Sequence, residues 1–198
     1  MFGTIRSLFE RPSAPSAPSA SFQVLSDLHL EIDQQYSSFN IPVRAKHLVL
    51  AGDVGRLVDY DNYRAFLKQQ TDQFELVFLV LGNHEFYNDT FAVGLGKAQH
   101  MEKEPCMNGR LILLNQRRFD VPNSKVTVLG CSLWSNIPDK SRDMVRMKIQ
   151  DFEKIQGWSV DDHNTAHASD LAWLLGEIRL VSEENKTRTK ATNDPFSS

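Results

Sequence analysis

Residues 22–29 read FQVLSDLH, residues 47–53 read HLVLAGD and residues 75–85 read ELVFLVLGNHE. Each opens on a short apolar run of the kind that forms a buried strand. Each then stops at side chains bearing hard oxygen or imidazole groups: Ser26-Asp27-Leu28-His29, Gly52-Asp53 and Gly82-Asn83-His84-Glu85. Between the second and third lies a stretch rich in helix formers, YDNYRAFLKQQTDQ at 60–73. Strands alternating with helices predict an α/β fold, in which the loops after the strands are the place for a site.

The residue types at those three strand ends suit a pair of metal ions. Asp27 and His29 are two apart, so an extended segment turns both side chains to one side. Gly52 and Gly82 let the backbone turn sharply just before the polar residue. Carboxylates and neutral imidazoles suit Zn, Mn and Fe, and one shared carboxylate holds two ions about 3.5–4 Å apart. Asp27 or Asn83 alone reads as a turn or capping residue, and His29 or His84 alone as a surface histidine. Their coincidence at three successive strand ends favours a metal centre.

Outward from these strands, a second helix is expected over roughly 90–104 and a strand at Arg110 to Leu114. RRFDVPNSKVTVLG then reads as a hairpin turning at PNSK. Helices follow over 140–155 and 161–182, the second presenting Leu171, Trp173, Leu174 and Ile178 as its apolar stripe. His163 and His167, four apart on that helix, sit among Asp161, Asp162, Asn164 and Asp170, as on a solvated face, and His100 in QHMEKE reads the same way. Trp134 and Trp158 read equally as core aromatics or as a cover over the site.

Residues 1–20 are expected to be a disordered tail ending in a Pro/Ser/Ala linker, RPSAPSAPSA; 21–182 form the domain; 183–198 form a polar tail that frays. Phe2, Ile5, Leu8 and Phe9 fall at helical spacing near Arg6 and Arg11, as in an organelle transit segment, but Glu10 and the short length favour a plain tail.

With 41% hydrophobic and 24% charged residues in 198, the chain builds a core and is not disordered throughout. The longest apolar run, Leu76 to Leu81, cannot cross a bilayer. A net charge of −3 lacks the basic balance of a dedicated nucleic-acid binder. Cys106 and Cys131, in no CxxC pattern, read as reduced thiols of a cytoplasmic protein.

SDLHLE at 26–31, AGDVG at 51–55 and LGNHEFY at 81–87 closely resemble the first three motifs of the calcineurin-like metallophosphoesterase superfamily. The likeness covers about residues 22–180, through LGCSLWS at 129–135 and the DFEKI and HNTAHASDLAWL stretches beyond it. The motifs are specific for the superfamily and nearly silent about substrate. The resemblance implies a four-layer α/β/β/α sandwich of two mixed sheets. It implies one divalent ion on Asp27, His29 and a bridging Asp53, and a second on Asp53 and Asn83, with His84 on the scissile phosphate as general acid. The implied reaction is hydrolysis of a phosphate mono- or diester by metal-bound hydroxide, as in a phosphatase, with Mn-, Zn- or Fe-type ions and a phosphate-ester substrate as partner.

The superfamily pattern continues with a strand ending in histidine and a Gly-His-x-His motif. Beyond His84 this sequence has only His100, His163 and His167. The sandwich is therefore expected to be incomplete at its C-terminal side. An open sheet edge there would favour self-association. The alternative function is a truncated, catalytically weak or inactive phosphoesterase-like domain acting as a binding module.

Overall fold

The computed structural model describes residues 20–192; the expected tail helix at 2–9 and nearly all of the linker lie outside them, as do residues 193–198. The strands β1 (Phe22–Leu25), β2 (His47–Ala51), β3 (Leu76–Val80) and β4 (Leu111–Leu113) form one wholly parallel sheet in the order β1-β2-β3-β4. Helix α1 (Tyr60–Gln73) joins β2 to β3, and α2 (Phe91–Glu102) joins β3 to β4. Strands β5 (Arg117–Asp120) and β6 (Thr127–Gly130) form a separate antiparallel pair. The remaining helices are α3 (Arg142–Lys148), α4 (Asp151–Lys154) and α5 (Val160–Thr192).

The period of two along each strand divides two cores. Leu48, Leu50, Val77, Leu79, Leu111 and Leu113 share one cluster with Tyr63, Phe66 and Leu67 of α1 and Ala98 and Met101 of α2. Their neighbours Val49, Leu76, Phe78, Val80 and Ile112 turn the other way and pack with Phe119, Val126 and Val128 of the hairpin. On the far side of the hairpin, Arg118 of β5 donates to Glu184 of α5 at 2.8 and 2.7 Å. The layers therefore run α/β/β/α. Among the described residues one sheet is parallel and the other antiparallel, and the two are mixed only taken together.

Three expectations need correction. The helix expected over 140–155 breaks: Ile149 is extended (φ −93°, ψ 125°) between α3 and α4, and α3 has no buried residue to hold a longer helix against the core. The polar tail expected from 183 is helical as far as Thr192; that run contains no Gly or Pro before Pro195, so nothing in it ends a helix. The apolar stripe of α5 is not its inner face: Leu171 and Ile178 are exposed and Trp173 and Leu174 half-buried, while His163 and Asp170 are buried.

That inner face is polar because it serves backbone with no strand partner. Asp170 accepts from the Leu133 N–H at 2.8 Å and from Gln116 Nε2 at 2.9 Å. Asn164 accepts from the Ile137 N–H at 2.8 Å and donates to the Ile137 carbonyl at 2.9 Å. His167 Nδ1 meets the Trp134 carbonyl. Segment 132–137 is thereby held against the helix without a β-ladder.

Candidate metal centre

The loops after β1, β2 and β3 lie side by side. The ladder between β1 and β2 continues into them: the N–H groups of Asp27, His29 and Leu30 donate to the carbonyls of Gly52, Asp53 and Val54 at 3.1, 3.0 and 2.9 Å. Residues 27–29 are not the extended segment the spacing suggested. Asp27 (φ 55°), His29 (φ 47°) and Asp53 (φ 53°) all occupy the left-handed region, where a non-glycine residue costs about 1–3 kcal/mol. Three strained residues at three expected ligand positions mark this as a place where backbone stability is given up for side-chain placement.

Glu85 ties the second and third loops together. Its carboxylate, wholly buried, accepts from the N–H groups of Val54 (2.8 Å), Asp53 (3.1 Å), Gly55 (3.4 Å) and Gly82 (2.7 Å), and from the Tyr63 hydroxyl (3.1 Å). Burial first, then the Asp53 charge, pushes it up to about 7, against backbone hydrogen bonds that favour the carboxylate. Gly82 permits the approach: a Cβ there would collide with Asp53 Oδ1 and lie 2.7 Å from the Asp53 nitrogen.

Asp53 stands where the expected site residues meet. One of its ligand atoms and those of His29 and His84 all lie within 4.8 Å of one another. Its Oδ1 accepts from the His84 N–H at 3.0 Å. It also lines a cavity of about 570 Å³ together with Asp27 and Asn83. His29 and His84 bring their Nδ1 atoms to 3.2 Å. His84 Nδ1 is 2.7 Å from Oε1 of Glu31, whose second oxygen is buried without a partner among the described residues. Carboxylates and imidazoles at this spacing fit a divalent cation of the Mn, Zn or Fe type.

Several residues in this region carried no role in the sequence reading. Glu31 and Glu85 fall inside the SDLHLE and LGNHEFY motifs, adjacent to the residues that did, and that adjacency was the available signal. Asp151 and Tyr87 line the cavity and bond to Asn83. Trp134 is both core and cavity wall, with its ring 5.2 Å from Trp158. His163, read as solvated, is buried against Trp134 at 5.1 Å and lines the same cavity. Burial lowers its affinity for a proton.

Residues 21–144, more than half of the chain, match the family model of the calcineurin-like phosphoesterases. An uncharacterized protein, L509, of Acanthamoeba polyphaga mimivirus is 24% identical over 175 residues, covering 78% of this chain and 61% of its own length. The solved structure of a phosphopantetheinyl hydrolase from Mycobacterium tuberculosis shares the fold at a TM-score of 0.56 and 16% identity, over 82% of this chain and 64% of its own. The chain thus spans less than two thirds of either protein. Among the described residues no helix is long and apolar enough to cross a membrane.

Proposed function

This chain belongs to the calcineurin-like phosphoesterases, and from that premise we propose that it hydrolyses a phosphate mono- or diester at the Asp53 cavity, with divalent ions as cofactors. The observation that carries the reading is the convergence on Asp53: His29 and His84 lie to one side and Asp27 and Asn83 share its cavity, all on loops after parallel strands. Asp27, His29 and Asp53 would hold one ion, and Asp53 with Asn83 a second. Such ions supply Lewis acidity toward a phosphoryl oxygen and an activated water near neutral pH.

The chain's own residues do the rest. Glu31 Oε1, 2.7 Å from His84 Nδ1, accepts the hydrogen there and orients the ring, so that the second proton of a doubly protonated His84 sits on Nε2. As the water oxygen bonds to phosphorus, the ester P–O bond breaks and the departing oxygen takes that Nε2 proton; the proton the water gives up then restores the doubly protonated ring. The Gly82 and Asp53 N–H groups are spent on Glu85, so they hold the loop and do not bind substrate.

Two variants test this. Asp53→Asn should reduce the Mn²⁺ bound by purified protein, because it removes the anionic ligand common to both positions. Equal metal content in wild type and variant would reject the assignment. His84→Ala should keep the metal and lower Mn²⁺-dependent turnover of an aryl phosphate by roughly 100-fold or more.

A further inference from the structure

Asp151 is a buried carboxylate on the cavity wall, 68 residues along the chain from Asn83, which it touches. A buried carboxylate is costly unless well partnered. Its oxygen Oδ1 accepts from Asn83 Nδ2 at 2.7 Å and from the Tyr87 hydroxyl at 2.8 Å. Asn83 Nδ2 also lies 2.8 Å from the Tyr87 oxygen. The three groups close a ring in which every hydrogen has one place to go. An ionised Asp151 only accepts, so it takes one amide hydrogen and the phenol hydrogen. The phenol oxygen, having given its hydrogen away, accepts the second amide hydrogen.

Both hydrogens of the Asn83 amide are thereby used, and the group opposite them is its carbonyl oxygen. A flipped amide would set that oxygen against the Asp151 carboxylate oxygen at 2.7 Å, which is repulsive. Resting on the metal-dependent reading above, we infer that Asp151, with Tyr87, is a positioning pair that presents the Asn83 carbonyl oxygen, and never its NH₂, to a divalent ion. A cation binds the oxygen and is repelled by the amide hydrogens, so a freely rotating Asn83 would be a poor neutral ligand.

Docking of α4 does not need this carboxylate. The Asn88 N–H donates to the Lys154 carbonyl at 2.7 Å and the Gln156 N–H to the Asp89 carbonyl at 2.8 Å. Gln156 Nε2 adds a bond to the Asn88 carbonyl at 3.0 Å. Backbone contacts thus hold the segment against the β3 loop, while the Asp151 side chain is turned to Asn83.

The experiment is a Mn²⁺ titration of the metal-free full chain by calorimetry, with electron paramagnetic resonance to detect a spin-coupled ion pair. Wild type should bind in two classes. Asp151→Ala should weaken one class by about 10–100-fold, the range for loss of a group that orients a ligand, and leave the other within a factor of two. The coupled signal should fall with it. Tyr87→Phe, which keeps the Asn83–Asp151 bond, should weaken the same class by less, and it serves if Asp151→Ala does not fold. In an Asn83→Ala background either change should have no further effect on Mn²⁺ binding, which a merely structural role would not produce.

Two classes unchanged in both variants would overturn the inference, as would an equal loss in the Asn83→Ala background. If Asp53→Asn abolishes binding while Asp151→Ala and Tyr87→Phe are inert, this inference alone fails. A wild-type protein that binds no Mn²⁺ overturns both it and the metal-dependent reading.

Discussion

Replacing Glu85 with alanine would strand five donors at once, all now 2.7–3.4 Å from its oxygens: the buried Val54 and Gly55 N–H groups and Tyr63 hydroxyl, and the half-buried N–H groups of Asp53 and Gly82. A buried donor left without a partner costs about 1–3 kcal/mol, so the three buried ones, at about 1.5 kcal/mol each, with a smaller share from the other two, give about 5 kcal/mol. Against this stands the relief of removing a buried charge beside Asp53. Raising the carboxyl from 4.5 to about 7 corresponds to about 3 kcal/mol at a pH where it is ionised. The stranded donors win by about 2 kcal/mol, or roughly 4–8 °C in melting temperature for a chain of this size. Glu85→Gln recovers the same relief and keeps one oxygen for Val54, Gly55 and Tyr63, but sets its NH₂ against the Gly82 and Asp53 N–H groups, so it should melt between Glu85→Ala and wild type. The assay is thermal unfolding of metal-free protein at pH 8, followed by circular dichroism. Glu85→Ala melting at or above wild type would refute the view that this carboxylate clamps the two loops.

Other outcomes follow from the same geometry. Gly82→Ala should separate the β2 and β3 loops and weaken Mn²⁺ binding through Asp53, while Gly96→Ala on α2, where a Cβ meets nothing within 4 Å, should stabilise by about 0.5–1 kcal/mol in urea unfolding. Burial holds His163 below its ordinary value, so on acidification below about pH 6.5 the unfolded chain takes up a proton that the folded one refuses; this contribution is destabilising and opposes that of Glu85, whose raised carboxyl takes its proton first in the folded chain. His163→Gln should remove that contribution, so that its urea midpoint gains on wild type between pH 7.5 and 5.5; an unchanged difference would exclude the role, since Glu85 and His47, whose burial has the same sign as that of His163, are common to both. Val24, 63% exposed on edge strand β1, and the exposed Leu171, Leu175 and Ile178 of α5 should give concentration-dependent elution and hydrophobic dye binding, both reduced by Val24→Lys. A monodisperse monomer with negligible dye binding would defeat this.

The strands and the polar residues that end them were legible because both are local properties. A strand buried on both faces is a short apolar run, and the polar residues that end it follow within a few residues. The placement of Asp27, Asp53, Asn83 and His84 on adjacent loops after parallel strands was therefore readable from short motifs. The hairpin was legible for the same reason, since the turn residues PNSK are followed at once by the β-branched and apolar run VTVL. What stayed hidden depends on partners distant in the chain. His163, Asn164 and Asp170 look like a solvated face because their composition is polar, yet they are turned inward to backbone groups of 133–137 that no strand satisfies. The left-handed backbone at Asp27 and His29 arises from pairing with the next loop, and no two-residue spacing encodes it. Asp151 was one acidic residue in an expected helix, and only the folded chain, broken at Ile149 between α3 and α4, brings it to Asn83. A hydrogen bond 68 residues long leaves no periodic trace in the sequence, because its geometry is set by the packing of whole elements and not by the neighbours of either residue.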